Sequence, residues 1–253
     1  MQIQKNKMNL LKILREEKSS GLRGGLYHQT QIKLTYNTNR IEGSRLSEEQ
    51  TRYIYETNTI FVENGETSAN IDDIVETVNH FFCFDYMLDI ANEALSEEHI
   101  KKFHSLLKNN TSDSRKSWFK VGDYKSKPNV VGGIETSLPS KVPSDMKNLL
   151  NSYLKKESIT FEDIVDFHYQ FEQIHPFQDG NGRVGRLIIF KECLAHNIFP
   201  FIIEDDYKFF YYRGLKEYPS IKGYLTETCL SAQDNYKKMA SYFFPDFNKK
   251  ECE

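Results

Sequence analysis

No stretch of the 253-residue chain approaches the ~20 consecutive apolar residues that a membrane span requires. The basic and apolar N-terminus, MQIQKNKMNLLKILREEK, spaces its apolar residues three and four apart. That is an amphipathic helix, not the continuous apolar core of a signal peptide. Cysteine is sparse: Cys83, Cys193, Cys229 and Cys252 form no CxxC pair and stand at no metal-ligand spacing from histidine. They fit core thiols in a reduced, cytoplasmic protein. Neither sign of charge dominates, since 33 Lys and Arg oppose 36 Asp and Glu for a net charge of -3. A general attraction for nucleic acid or anionic lipid is thereby excluded, and any anion must be bound locally. Internal repeats, low-complexity tracts and a GxxxxGK[ST] phosphate loop are absent, and strand-like alternation is rare.

What is present is helical periodicity, enough chain to bury roughly 70% of its unfolded surface, and caps at the expected places. SEEQ from Ser47 and TFED from Thr160 place a hydroxyl three residues ahead of an amide or acid, as helix starts do. Between Asp72 and Asn92 the spacing predicts a long core helix with Val75, Val78, Phe82 and Tyr86 along its inner face. A helix over Glu97 to Lys108 turns Ile100, Phe103 and Leu107 inward. Ile164, Phe167, Phe171 and Ile174 form a stripe leading to His175, and Leu187, Phe190 and Leu194 form another that ends near Asn197. DDYKFFYYRGLKEY and Tyr224 to Phe243 read as two more helices. The Ser/Gly segment from Ser19 to Gly25 is a short joint, and NTIFVENGETSANI is a turn-rich connection. Only WFKVGDYKSKPNVVGGIETSLPSKVP breaks the pattern, as an irregular connection or a hairpin facing a ligand.

Between the two central stripes lies HPFQDGNGRVGR, His175 to Arg186, which offers little to a core. Gly180 and Gly182 on either side of Asn181 let backbone N–H groups turn toward an anion at the positive end of the following helix. Asn181 adds an amide donor. Arg183 and Arg186, three apart, fork onto further phosphate oxygens, so the set suits a di- or triphosphate. Asp179 supplies a hard oxygen of the kind that holds Mg2+ together with phosphate. His175 is placed to accept a proton from an incoming hydroxyl, the bland alternative being a histidine that caps a helix carbonyl. His168, one heptad earlier, reads as a satisfied structural histidine, and Phe177 as the residue pinning the loop to the core.

At these residues the sequence resembles the Fic family, whose signature HPFx[D/E]GNGRxxR it matches at all nine specified positions. The resemblance extends to FHYQFEQI before the motif, to Gly122–Tyr124, and over roughly Asp72 to Phe243. It implies an all-α fold with a short β-hairpin flap over a nucleotide site. The implied organisation is an N-terminal helical region, residues 1–71, packed on a core domain, residues 72–253. The implied activity is transfer of AMP from ATP to a Ser, Thr or Tyr hydroxyl of a target protein, and of the chain itself. In that reading His175 is the base and Asp179 holds Mg2+. Gly180, Asn181 and Gly182 form the anion hole, Arg183 meets the β-phosphate region and Arg186 the γ-phosphate. Tyr212 matches an aromatic that stacks on adenine. Tyr124, Val130 and Val131 belong to a flap, about Lys120 to Thr136, that registers a target segment. Lys125 stands where relatives commonly carry Arg.

TNRIEG, Thr38 to Gly43, fits the family's inhibitory pattern [S/T]xxxE[G/N], although Ser44 replaces a common Asn. The resemblance implies a helix that inserts Glu42 into the site, with Thr38 on the same face; an ordinary helix with its charged end in solvent is the alternative. Two rival activities stay open, removal of AMP from a modified protein and a nucleotide-responsive interaction module without turnover. The expected partners are ATP and a protein target, not nucleic acid or membrane, and a homodimer stays open.

Overall fold

The computed structural model describes residues 9–60 and 69–248 of the chain. Cys252, the first eight residues of the expected N-terminal helix and the middle of the connection before Ile71 lie outside them. Among the described residues, ten α-helices and one hairpin follow in order: α1 (Leu10–Ser20), α2 (Leu26–Ile41), α3 (Glu48–Thr57), α4 (Ile71–Asp89), α5 (Glu97–Leu107), β1 (Val130–Val131), β2 (Ile134–Glu135), α6 (Val142–Leu154), α7 (Phe161–Ile174), α8 (Asn181–Ala195), α9 (Lys208–Glu217) and α10 (Gly223–Phe243). Both expected capping boxes are formed: Ser47 with Gln50 starts α3, and Thr160 with Asp163 starts α7. The fold is all-α apart from the antiparallel β1–β2 hairpin.

Helix α8 is the axle. Every residue from Asn181 to Leu194 is buried, and α2, α4, α5 and α7 all pack against it. Its apolar residues Val184, Leu187, Ile188 and Phe190 join one core with Phe84, Phe103, Phe167 and Phe171. Leu10, Leu26 and Leu34 of the N-terminal helices belong to the same core. A second core lies between α8, α9 and α10, where Ile189, Cys193, Tyr211, Leu225 and Cys229 meet Ile41 from the end of α2. Cys83, Cys193 and Cys229 are buried free thiols.

Two readings need correction. Helix α4 forms, but Phe82 on its expected inner face is 58% exposed; the buried face runs through Thr77, His80, Phe81, Phe84 and Leu88. Polar residues on that face hide it from a hydrophobicity count: His80 is fully buried, with its Nδ1 2.8 Å from the Thr35 hydroxyl. Helix α6 begins inside the Pro-rich stretch, with Pro143 in its first turn, where a missing N–H does no harm. Met146, Leu149, Leu150 and Tyr153 are its buried side.

Candidate nucleotide site

Helix α7 ends at His175, whose backbone is left-handed (φ 51°) and whose N–H donates to the Phe171 carbonyl at 2.9 Å. The chain then drops into the core through Phe177, which is fully buried and stacks on the His104 ring with centroids 4.1 Å apart. The Asn181 side chain closes the loop from the other end. Its Oδ1 accepts from the Phe177 N–H at 2.8 Å and its Nδ2 donates to the Phe177 carbonyl at 2.9 Å. One of the two amide hydrogens of that side chain is thereby committed to holding the loop. What faces outward is backbone. Val184 N–H is the first to bond within the helix, to the Gly180 carbonyl, which leaves the N–H groups of Asn181, Gly182 and Arg183 at the positive end of α8 without intrahelical acceptors. Gly180 caps that end with φ 83°, and a Cβ there would stand 3.2 Å from Leu107.

Four charged groups meet beside this helix end. Asp179 Oδ2 accepts from Lys108 Nζ at 2.6 Å and from Arg183 Nη2 at 3.2 Å, while Glu76 bridges the same two cations, one carboxylate oxygen to each. Burial works against the Asp179 carboxylate, but Arg183 and Lys108 outweigh it and hold its pKa well below the usual range. Neither Glu76 nor Lys108 is visible as a site residue in the sequence. Each sits on an amphipathic helix, where a lone charge reads as solvent-facing.

Around Arg186 the structure brings together the residues that the N-terminal motif singled out. Its Nη2 pairs with Glu42 Oε1 at 2.5 Å, its Nε donates to Thr38 Oγ1 at 2.5 Å, and Nη2 also reaches the Thr38 carbonyl at 3.1 Å. Glu42 is the C-cap of α2 and Gly43 carries the chain away, its N–H bonded to the Arg40 carbonyl. The carboxylate lies directly over Gly182; a Cβ there would collide with Glu42 Oε1, so glycine is required for this approach. Behind Arg186 the Tyr211 hydroxyl accepts from Nη1 at 3.4 Å and pairs with His168 Nε2 at 2.7 Å, so His168 is buried and bonded through one ring nitrogen, while its Nδ1 has no hydrogen-bond partner among the described residues.

His175 is largely buried, and burial together with the nearby Lys125 ammonium lowers its pKa to about 4, so the imidazole is neutral over the physiological range. Its Nδ1 is 3.8 Å from Glu172 Oε2. Burial, with Glu42 adding to it, raises the Glu172 carboxyl to about 8. Lys125 is itself lowered to about 8 by burial. Its Nζ ties both feet of the hairpin to the motif, bonding Asn129 Oδ1 at 2.7 Å, Thr136 Oγ1 at 2.6 Å and the Ile174 carbonyl at 3.3 Å. In the hairpin, Val130 and Val131 are exposed. Tyr124 is not: it is buried, tilted against Phe177 and covered by Lys101, so it braces the flap and offers no surface to a target. Tyr212 is half-exposed on α9, with its hydroxyl 3.3 Å from the Ile41 carbonyl.

Asp179 is the motif's only carboxylate, and among the described residues no three His, Cys, Asp or Glu side chains gather as a metal-binding group. Asp179, ionised and 46% exposed although paired with Lys108 and Arg183, fits a hard cation that takes one oxygen from the chain and the rest from water and phosphate. Among the described residues no helix is long and apolar enough to cross a membrane.

Comparison with known proteins agrees with this geometry. Residues 94–192 match the model of the Fic/DOC family. The chain is 24% identical over 197 residues to the protein adenylyltransferase fic-1 of Caenorhabditis elegans, an alignment covering 75% of this chain and 37% of that one. It is 25% identical over 191 residues to the protein adenylyltransferase Fic of Nematostella vectensis, covering 72% and 42%. The chain thus spans about two fifths of the length of these curated relatives. The crystal structure of a Fic domain containing signaling protein from Bacteroides thetaiotaomicron superposes with a TM-score of 0.74 over 95% of this chain and 99% of that one, at 21% identity. Residues 94–192 thus carry a segment that matches the Fic/DOC family, and the chain shares its fold with a Fic domain containing protein.

Proposed function

We propose that the chain is a protein adenylyltransferase that moves AMP from ATP to a Ser, Thr or Tyr hydroxyl of a protein, itself included, and that Glu42 holds it at rest. The observation that carries this reading is a neutral, largely buried imidazole one short loop away from an anion-binding helix end. A neutral His175 has a lone pair to receive a proton, and the N–H groups of Asn181, Gly182 and Arg183 suit phosphate oxygens. The target hydroxyl oxygen attacks the α-phosphorus while His175 takes its proton. A new phosphorus–oxygen bond forms, the bond to the β-phosphate breaks, and pyrophosphate leaves. Arg183 and Arg186 balance charge along the β- and γ-phosphates. Asp179 would hold Mg2+, which when bound supplies positive charge against the phosphates. The exposed edge of Val130 and Val131 suits main-chain pairing with an extended target segment, and the half-exposed ring of Tyr212 suits adenine.

Two proteins named protein adenylyltransferase among the relatives support the same reading. Resting-state inhibition follows from Arg186. Its guanidinium pairs with Glu42, and the carboxylate lies over Gly182, so negative charge sits where the terminal phosphate would go. Incubation with ATP and Mg2+ followed by intact-protein mass spectrometry tests the reaction. A gain of one AMP on the Glu42→Gly chain or on a target, absent after His175→Ala, is expected. No gain on the chain or on any candidate protein, with Glu42→Gly folded, overturns the reading. Loss of AMP from a premodified protein in the same assay assigns the site to removal instead.

A further inference from the structure

We propose that Lys108 is the resident counter-ion of Asp179, which a divalent cation must displace, and that Asp113 receives it. The inference rests on the metal role of Asp179 proposed above. Lys108 Nζ lies 2.6 Å from Asp179 Oδ2, close enough to compete with a metal for that carboxylate, and its side chain is only 3% exposed. An ammonium that deeply placed cannot retreat into water, and leaving it without a carboxylate would carry a large penalty. Two acidic groups besides Asp179 surround it. Glu76 already holds it, and Asp113 Oδ2, in the short turn Asp113–Arg115 after α5, stands 3.5 Å away. Asp113 is itself tied to the exposed Lys116 at 2.6 Å through its other oxygen, so Oδ2 faces Lys108.

A move of the ammonium from Asp179 toward Asp113, with Glu76 as the pivot, therefore keeps two carboxylates around Lys108 throughout. Arg183 constrains the exchange from the other side, because the second oxygen of Glu76 grips its guanidinium. The lysine and the metal are then alternatives at one carboxylate. With Arg183 Nη2 also on Asp179 Oδ2 at 3.2 Å, the site exchanges one cation for another instead of adding a third at the same carboxylate, where the charges would repel each other. Lys108 is thus a positioning residue that sets how much metal the site needs. It opposes metal when paired with Asp179 and permits it when paired with Asp113.

The test is Mn2+ binding read by electron paramagnetic resonance with a non-hydrolysable ATP analogue, all in the Glu42→Gly background. Removing a competing charge-assisted pair with Lys108→Met should lower the half-saturating Mn2+ concentration about tenfold. Asp113→Asn withdraws the alternative partner, leaves Lys108 on Asp179, and should raise that concentration roughly threefold. A lysine that merely supported the fold would never tighten metal binding when lost. Half-saturation unchanged or higher in Lys108→Met overturns the proposal. If that variant does not fold, an unchanged value in Asp113→Asn overturns it instead. Asp179→Ala separates the two layers. Mn2+ retained there at the parent affinity sinks the metal role of Asp179 and the exchange with it. Mn2+ lost there, with no gain in Lys108→Met, sinks the exchange alone.

Discussion

His175 owes its proposed role to where α7 stops. Its left-handed backbone turns the chain off the helix axis, and burial keeps the ring uncharged to about pH 4, against an ordinary 6.5. The transfer rate should therefore stay flat as pH falls through 6.5 and drop only on approach to about 4. A midpoint near 6.5 in the rate profile would show that the base titrates as an exposed histidine. His175→Ala should cost about 10²- to 10⁴-fold in rate while ATP affinity, measured by calorimetry, stays near the parent value, since other groups hold the phosphates. Its neighbour Glu172 carries the opposite shift. Its folded carboxyl titrates at about 8 against an ordinary 4.5, so between those values the folded chain holds a proton that the unfolded chain has released. That group's contribution to stability is fully present below 4.5 and is lost as pH rises through 8. Glu172→Gln has no such loss, so its Tm advantage over the parent should widen between pH 5 and pH 8.5. An equal gap at both values would mean that the Glu172 carboxyl ionises in the fold as it does in water.

Helix by helix, the sequence is most legible where local chemistry decides the outcome. Ser47 and Thr160 start helices because their hydroxyls satisfy N–H groups that any helix leaves open, and the α7 stripe is apolar because nothing but core lies beneath it. Legibility fails where a polar residue is buried with a distant partner. The inner face of α4 carries Thr77 and His80, and the partner of His80 is Thr35, 45 residues away. The site shows the same division. The motif from His175 to Arg186 could be read residue by residue, whereas Glu76 and Lys108 enter it only through contacts 107 and 71 residues long, with Arg183 and Asp179. The α2 terminus lies between these cases: the spacing of Thr38 and Glu42 was readable, and the partner Arg186, 144 residues beyond Glu42, emerges from the packing. Removing that pair with Glu42→Gly frees Arg186 for the γ-phosphate. Loss of a competing charge-assisted pair of ~1.5 to 3 kcal/mol corresponds to roughly a ten- to hundredfold rise in AMP incorporation from α-labelled ATP. Adding His175→Ala should abolish the rise. A folded Glu42→Gly chain no more active than the parent would remove Glu42 as the restraint.

At the scale of the whole molecule the question is how such a restraint could be lifted, and the packing of α2 narrows the answer. Twelve of its sixteen residues are buried. Leu26, Ile32, Leu34 and Ile41 are each almost wholly removed from solvent; Leu26 and Leu34 join the main core and Ile41 the one between α8 and α10. Exposing four such side chains costs about 1.5 to 3 kcal/mol apiece. Detaching the helix would thus use up a large part of the ~5 to 15 kcal/mol that keeps an ordinary domain folded. Release by undocking α2 is therefore close to unfolding the protein, and activation has to be local, a rotation of the Glu42 side chain or a shift of the turn at Gly43. Hydrogen exchange followed by mass spectrometry separates the two routes. Backbone amides from Gln31 to Asn39 should exchange as slowly in Glu42→Gly with ATP and Mg2+ as in the parent chain, with faster exchange confined to the segment from Glu42 to Leu46. The Tm of the variant should stay within a few degrees of the parent, because Arg186 keeps its bonds to Thr38 and Tyr211. Loss of protection along the whole of α2 in the active variant would show that the helix leaves its seat, and that the cores on either side of α8 hold together without it.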